Sequence, residues 1–344
     1  MTASAWLRPL GSLLRWSLHA LAALVLAWEV LAIAHFPLLD APLRWLLAAA
    51  VAAFSLWGLW LSHRRWPKAA VLALWFGCWL AWMSLEPSHA RDWRPEVAVM
   101  PRIEIDGDLI RITGYRHFDY RSPEDFTQRF ETRALRLSQL RSLDFYLSYW
   151  MPGPVGHTFV SFNFNDAPPV SISIETRPEV GEGFDPLASL FRHFELIYVV
   201  GDERDLVRVR SNFRREDVYL YRTNVSQDAA RRLFLVYAER INELAGRPEF
   251  YHLLSNNCTI NILRYANRIG REGRLDIRHV LNGYSDRYLY GAGVIDTSLP
   301  FDALRARSRI NAAAQAADQA VDFSERIRMG RPVPAMSTAG PLAH

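Results

Sequence analysis

Lysine is almost missing from this chain. Lys68 is the only one, and apart from histidine every other basic side chain is arginine. A Schiff-base lysine or a Glu-Lys-Cys triad is therefore excluded from everything after residue 68. Cysteine is nearly as scarce. Cys78 lies in an apolar run and Cys258 in the polar remainder, so no internal disulfide is expected. There is no His-Glu-x-x-His pattern and no cysteine pair to give zinc a ligand set. Internal repeats and low-complexity stretches are also lacking. No metal, no cofactor and no nucleic-acid partner is expected.

What is present divides into two unlike parts. Residues 1–88 are rich in Leu, Ala and Trp, and three apolar runs stand out: 16–36, 42–62 and 69–85. Each approaches the roughly 20 residues that a bilayer-crossing helix needs. No small-residue cleavage site follows the first, so it reads as an anchor rather than a signal peptide. Trp16, Trp45, Trp60 and Trp66 suit the lipid–water boundary. Arg8 and Arg15 precede the first run, and Arg64, Arg65 and Lys68 join the second to the third, whereas 37–41 carries no base. The positive-inside rule then puts the N-terminus in the cytoplasm. Three crossings would place everything after Glu86 outside the inner membrane, in the periplasm of a Gram-negative cell. His19 and Glu29 are ionisable groups within the first run, which marks them as functional candidates.

The remainder reads as an α+β domain over residues 102–330, with a proline-bearing linker at 89–101 and a disordered tail at 331–344. Residues 103–112 alternate around Asp106-Gly107 and predict a hairpin. Ser122-Pro123-Glu124-Asp125 resembles a capping box and predicts a helix to about Ser142 with a basic face of Arg129, Arg133, Arg136 and Arg141. Residues 143–150 predict a strand. Two period-two arms, 156–164 and 170–177, predict an antiparallel hairpin with Phe164 opposite Val170 and with His157 and Glu175 as diagonal neighbours on one face. A second hairpin is expected from 196–200 and 206–210, a strand at 218–221, an amphipathic helix over 226–245 and another helix around 300–327.

Cys258 is the organising residue. Ser255-Asn256-Asn257-Cys258-Thr259-Ile260-Asn261 runs into a helix, with Ser255 or Asn256 as the expected cap. A thiol in a first turn meets the positive end of the helix dipole, which favours the thiolate. A lone cysteine is more often a small buried hydrophobe, so it needs a base. His157 opens a strand after Gly156 and is the preferred choice over His89, His117, His193, His252, His279 and His344. Glu175 on the neighbouring arm is the expected orienter of the imidazole. Backbone N–H groups around Cys258, with Asn257 and Asn256, are candidates for oxyanion stabilisation; the alternative role for both asparagines is helix capping alone. A histidine on a strand and a cysteine at a helix start match the papain-like thiol fold, with His before Cys as in the circularly permuted NlpC/P60 relatives.

Four ordered motifs now carry a family resemblance: Gly156-His157-Thr158-Phe159-Val160-Ser161-Phe162, Ser173-Ile174-Glu175-Thr176-Arg177, Tyr198-Val199-Val200-Gly201-Asp202-Glu203-Arg204-Asp205, and Asn256-Asn257-Cys258-Thr259. Together they resemble the periplasmic domain of the Lnb-type lipoprotein N-acyltransferases, over about residues 100–330. The resemblance implies that Cys258 takes an acyl chain from a phospholipid as a thioester, with His157 as general base. The acyl group would pass to an amine acceptor such as a lipoprotein N-terminus. Arg177, Glu203 and Arg204 are then either headgroup contacts or an internal ion-pair network. In that family the soluble domain precedes the membrane helices, whereas here the apolar runs come first. Two other classes remain open: a Cys-His amidase or peptidase acting on peptidoglycan or envelope proteins, and a non-catalytic envelope-binding module.

Overall fold

The computed structural model describes residues 4–270 and 273–335. The chain divides into two units, one of 1–87 with 185–193 and one of 88–184 with 194–344.

The first unit is helical: α1 (Ser4–Ala34), α2 (Ala41–Leu56), which ends in a π-helical turn over Trp57–Leu61, and α3 (Arg65–Met83). Among the described residues two helices, not the expected three, are long and apolar enough to cross a membrane: 12–34 and 41–61. The third apolar run does form a helix. Its first turn, however, holds Arg65, Pro67 and Lys68, which leaves a shorter apolar stretch behind them. Gly58 lies where a β-carbon would meet Val71 at 2.9 Å, so α3 approaches the end of α2 closely. Glu29 does not reach outward to headgroups; it is buried inside the unit. His19 is exposed and bonds the Arg15 carbonyl one turn back. The 185–193 segment packs here as well. The Trp82 indole donates to the Phe191 carbonyl, and Arg192 donates to the Met83 carbonyl.

The second unit is α+β, built on a mixed sheet. Its strands are β1 (Arg102–Asp106), β2 (Leu109–Arg116), β5 (Phe130–Arg136), β6 (Leu140–Tyr149), β7 (His157–Phe164), β8 (Val170–Arg177), β9 (Glu195–Asp202) and β10 (Asp217–Arg222). Short β3 (Asp119–Tyr120) and β4 (Phe126–Thr127) pair apart from it. The order is β1-β2-β9-β8-β7-β6-β10, with β5 also on β2. All pairs are antiparallel except β2 with β9. The first hairpin forms as expected, and Gly107 takes a φ of +58° in its turn. Residues 89–101, expected to be a linker, pack onto this unit instead: Trp93 and Val97 are buried, and Trp93 bridges to Glu179.

Three expected elements take another form. The helix expected over 122–142 is absent. The Ser122 hydroxyl does accept from the Glu124 and Asp125 N–H groups, but this closes a turn rather than starting a helix. The following residues pair with β2 from Arg116↔Phe130 to Leu109↔Arg136, so long-range pairing overrides the local spacing. The second hairpin is also absent. After β9, Asp202 caps α4 (Glu203–Arg208) by accepting from the Arg204 N–H, and a π-helical turn continues to Phe213. The last helical region is three pieces: α9 (Phe301–Ser308), α10 (Asn311–Ala316) and α11 (Phe323–Arg326). Of the tail expected to be disordered, residues 331–335 have no regular structure and 336–344 lie outside the described residues.

The remaining helices are α5 (Gln227–Gly246), α6 (Cys258–Arg268), α7 (Ile277–Val280) and α8 (Ser285–Gly291). Helix α5 is amphipathic as expected and starts at the Ser226 cap. It buries Leu233, Phe234, Tyr237 and Ile241, and Phe162 of β7 meets the Phe234 and Tyr237 rings edge-on. Helix α6 packs over β7 and β8, which brings the start of a helix to the start of a strand.

Candidate active site

Cys258 is the first residue of α6. The cap is Asn257, one or two residues later than expected, and its side-chain oxygen accepts from the Ile260 N–H at 2.8 Å. Its amide nitrogen donates to the Leu253 carbonyl. Asn256 donates to the Phe250 carbonyl and accepts from Asn261. Both asparagines are thus spent on holding the turn before α6, so neither amide faces the thiol.

His157 begins β7, and the Thr158 and Thr259 hydroxyls bond at 2.9 Å, tying the strand to α6 one residue beyond each partner. Cys258 is almost fully buried. Burial alone would push its thiol up. The hydrogen bond and charge of the His157 imidazole, helped by the Thr158 hydroxyl and backbone, instead bring it down to about 6. The other described histidines have other partners, among them His89 on the Leu244 carbonyl, His252 on Ser255 and His279 on the Asp276 N–H.

Behind the imidazole, β8 supplies the support. The observed register sets Phe162 opposite Val170 and Phe159 opposite Ser173, two residues from the expected pairing. A shift of two keeps side chains on their faces, so His157 and Glu175 still share one. His157 Nε2 meets Ser173 Oγ at 2.7 Å and Glu175 Oε1 only at 3.9 Å. Ser173, not Glu175, is therefore the direct partner, and Nδ1 is the nitrogen left for the thiol. Glu175 is held by Arg210 at 2.7 Å. Burial would raise its carboxyl, but the charges of Arg210, His157 and Arg116, with the Ser173 hydroxyl, hold it far below the ordinary carboxylate value. Phe159 stacks against the imidazole on one side and Tyr146 on the other. The array is Cys258–His157–Ser173–Glu175–Arg210.

Sequence reasoning missed Ser173, Arg210 and Asn282. Ser173 was legible as the residue two before Glu175 on the same strand face. Asn282 carried no signal, since it sits in a 3₁₀ turn 24 residues after the cysteine. Its side-chain oxygen accepts from the Gly156 N–H at 2.8 Å, which aims its amide nitrogen at Cys258 Sγ, 3.5 Å away. This is the side-chain N–H donor at the sulfur that Asn257 was expected to provide.

The other candidates resolve differently. Arg177 donates to the Val97 and Ala98 carbonyls and stacks on Trp93, pinning the segment after the anchor. Glu203 is fully buried, accepting from Tyr146 and from both terminal nitrogens of Arg328. The Arg204 backbone N–H serves the Asp202 cap. The Arg177 and Glu203 side chains are thus held inside the unit, whereas the bond shown for Arg204 is to its backbone. Among the described residues no group of three His, Cys, Asp or Glu is placed to hold a metal.

A buried thiol lowered by an imidazole, with that imidazole bonded to a hydroxyl and a carboxylate 3.9 Å from it, is an arrangement that can support nucleophilic chemistry. Comparison with curated proteins and with solved structures gave no match. Comparison with family models did: residues 126–284, from β4 to the turn that follows Asn282, match the Lnb N-terminal periplasmic domain. That span contains Cys258, His157, Ser173, Glu175, Arg210 and Asn282, so every residue of the site lies in the part of the chain that is similar to this Lnb-type periplasmic domain.

Proposed function

We propose that this protein is a membrane-anchored periplasmic thiol acyltransferase of permuted papain-like design. The observation that carries the reading is the Cys258 thiol, buried at the start of α6 and brought down to about 6 by His157. A thiol lowered in this way supplies thiolate at neutral pH.

The chemistry follows in two steps. The Cys258 thiolate attacks the ester carbonyl of a phospholipid, forming a C–S bond. The C–O bond breaks, and the leaving alkoxide takes a proton from the His157 imidazolium. The amine of an acceptor such as a lipoprotein N-terminus then attacks the thioester. Its proton passes to His157, a C–N bond forms and the thiolate leaves. We assign oxyanion stabilisation to Asn282 Nδ2, which lies 3.5 Å from the sulfur, and to backbone N–H groups at the start of α6. Ser173 keeps the ring oriented, and Glu175 balances the imidazolium.

The orientation we propose has the N-terminus in the cytoplasm and the second unit in the periplasm. It requires α3 to cross as well, with Arg65 and Lys68 snorkelling to the near headgroups.

Intact-mass and peptide mass spectrometry of protein purified from membranes tests the activity. A fatty-acyl adduct on Cys258, absent in His157→Ala, supports transfer. Lack of an adduct together with cleavage of peptidoglycan fragments would make it an amidase. A Cys258→Ala protein that fully complements a knockout would leave a binding module.

A further inference from the structure

The loops around the dyad carry exposed apolar side chains. Trp150, Met151, Phe184, Leu275, Ile277 and Tyr284 are between 41 % and 71 % exposed. They stand on segments that are tied together. Trp150 meets Phe184 edge-on at 5.7 Å. The Gly283 N–H donates to the Pro154 carbonyl at 2.9 Å, and the Tyr149 hydroxyl bonds the Gly283 carbonyl. Asn282 lies at the junction, one side of its amide on Gly156 and the other at the Cys258 sulfur. Leu275 and Ile277 lead into α7, which runs straight into that turn. The apolar set therefore stands on segments that meet at Asn282, the residue beside the Cys258 sulfur, rather than being scattered over the unit. Apolar groups clustered at one place on a soluble surface mark a partner.

The composition identifies the partner. Tryptophan, tyrosine, methionine and branched aliphatics, with Arg274, Arg278 and Arg287 among them in sequence, are what the boundary between headgroups and acyl chains accepts. The covalent path agrees. Only residues 84–87 separate the end of α3 from this unit, and Phe184 is joined directly to residue 185, the first of the segment that belongs to the helical unit. We propose that this apolar rim inserts into the bilayer surface, so that the lipid boundary seals the mouth of the Cys258 site. The proposal rests on the membrane-anchored reading but not on acyl transfer, because a hydrolase docked this way would show the same immersion.

The test uses the full chain reconstituted in phosphatidylglycerol–phosphatidylethanolamine vesicles. An environment-sensitive fluorophore is attached at Met151→Cys or Ile277→Cys in a Cys78→Ala, Cys258→Ala background. Asp166→Cys, in the exposed turn between β7 and β8, serves as control. Nitroxide-labelled lipid is expected to quench both rim positions several-fold more than the control, while aqueous iodide quenches the control more. Equal lipid quenching at rim and control would overturn the proposal. Shielding of the rim from both quenchers would also overturn it, assigning the surface to a second copy of the chain. An acyl adduct on Cys258 is read separately, so the two readings fail independently.

Discussion

In the proposed mechanism Cys258 and His157 set the reactivity, and its pH dependence has a definite sign. The thiol is brought down to about 6, so the thiolate is present above that pH and is lost as pH falls through it. Alkylation of Cys258 by a small iodoacetamide should therefore rise through about pH 6 and level off. In His157→Gln only the Thr158 hydroxyl and backbone still oppose burial, so the midpoint should move up toward or beyond the ordinary thiol value of about 8.5. An unchanged midpoint would remove His157 from the site. Ser173→Ala leaves the imidazole without its 2.7 Å partner. It should lower kcat with little change in KM, and Ser173→Thr should recover part of the loss. Asn282→Ala should lower kcat by about 10²–10³ if its amide serves the oxyanion, with the alkylation midpoint far less affected. Asn257→Ala should behave differently: loss of the cap costs about 1 kcal/mol of stability, read by denaturant unfolding in detergent.

At the level of elements, the site is a junction of one strand start, one helix start and one turn. The turn is fitted tightly. A β-carbon on Gly283 would lie 2.7 Å from the Pro154 backbone. Gly283→Ala should therefore displace the turn that carries Asn282 and reduce activity about as much as Asn282→Ala, while far-UV circular dichroism stays native. The last helices are fastened by Arg328, which reaches Glu203, Asp144 and Tyr146. Glu203→Ala would leave the half-buried Arg328 guanidinium with Asp144 as its one carboxylate partner and should destabilise the second unit by at most roughly 3–5 kcal/mol. Unfolding midpoints check this. A normal Cys258 alkylation midpoint in the surviving folded fraction would confirm that Glu203 holds the frame. The motif around Gly201–Asp205 is thus a structural knot: a β-carbon on Gly201 would come within 2.4 Å of the Arg116 carbonyl oxygen, and Asp205 takes the Arg116 guanidinium at 2.7 Å.

For the whole molecule, the lysine scarcity becomes a topological probe. In the proposed orientation the only amines, Lys68 and the N-terminus, face the cytoplasm. A membrane-impermeant amine reagent should leave the protein unlabelled in intact spheroplasts and label it after permeabilisation. Labelling in intact cells would reverse the orientation. The matched domain is described as N-terminal, whereas in this chain two apolar helices precede it.

Some of this was fixed by local chemistry. The apolar runs, the alternation of β7 and β8, the amphipathic face of α5 and the polar start of α6 each follow from neighbouring residues, and with them the choice of Cys258 and His157. Parity along a strand is also local, which is why His157 and Glu175 stayed on one face despite a register two residues from the expected one. Other features needed the folded chain. Residues 130–136 have helical spacing but are held by β2, and Asp202 turns 203–208 into a helix that alternation could not reveal. Arginine and asparagine look alike in sequence whether they meet a ligand or a carbonyl. Only packing decided that Asn257 caps while Asn282 points at sulfur, and that Arg177 pins a segment while Arg210 holds Glu175. Partner choice for a polar side chain depends on which distant backbone comes within 3 Å of it, and that is a property of the tertiary structure alone.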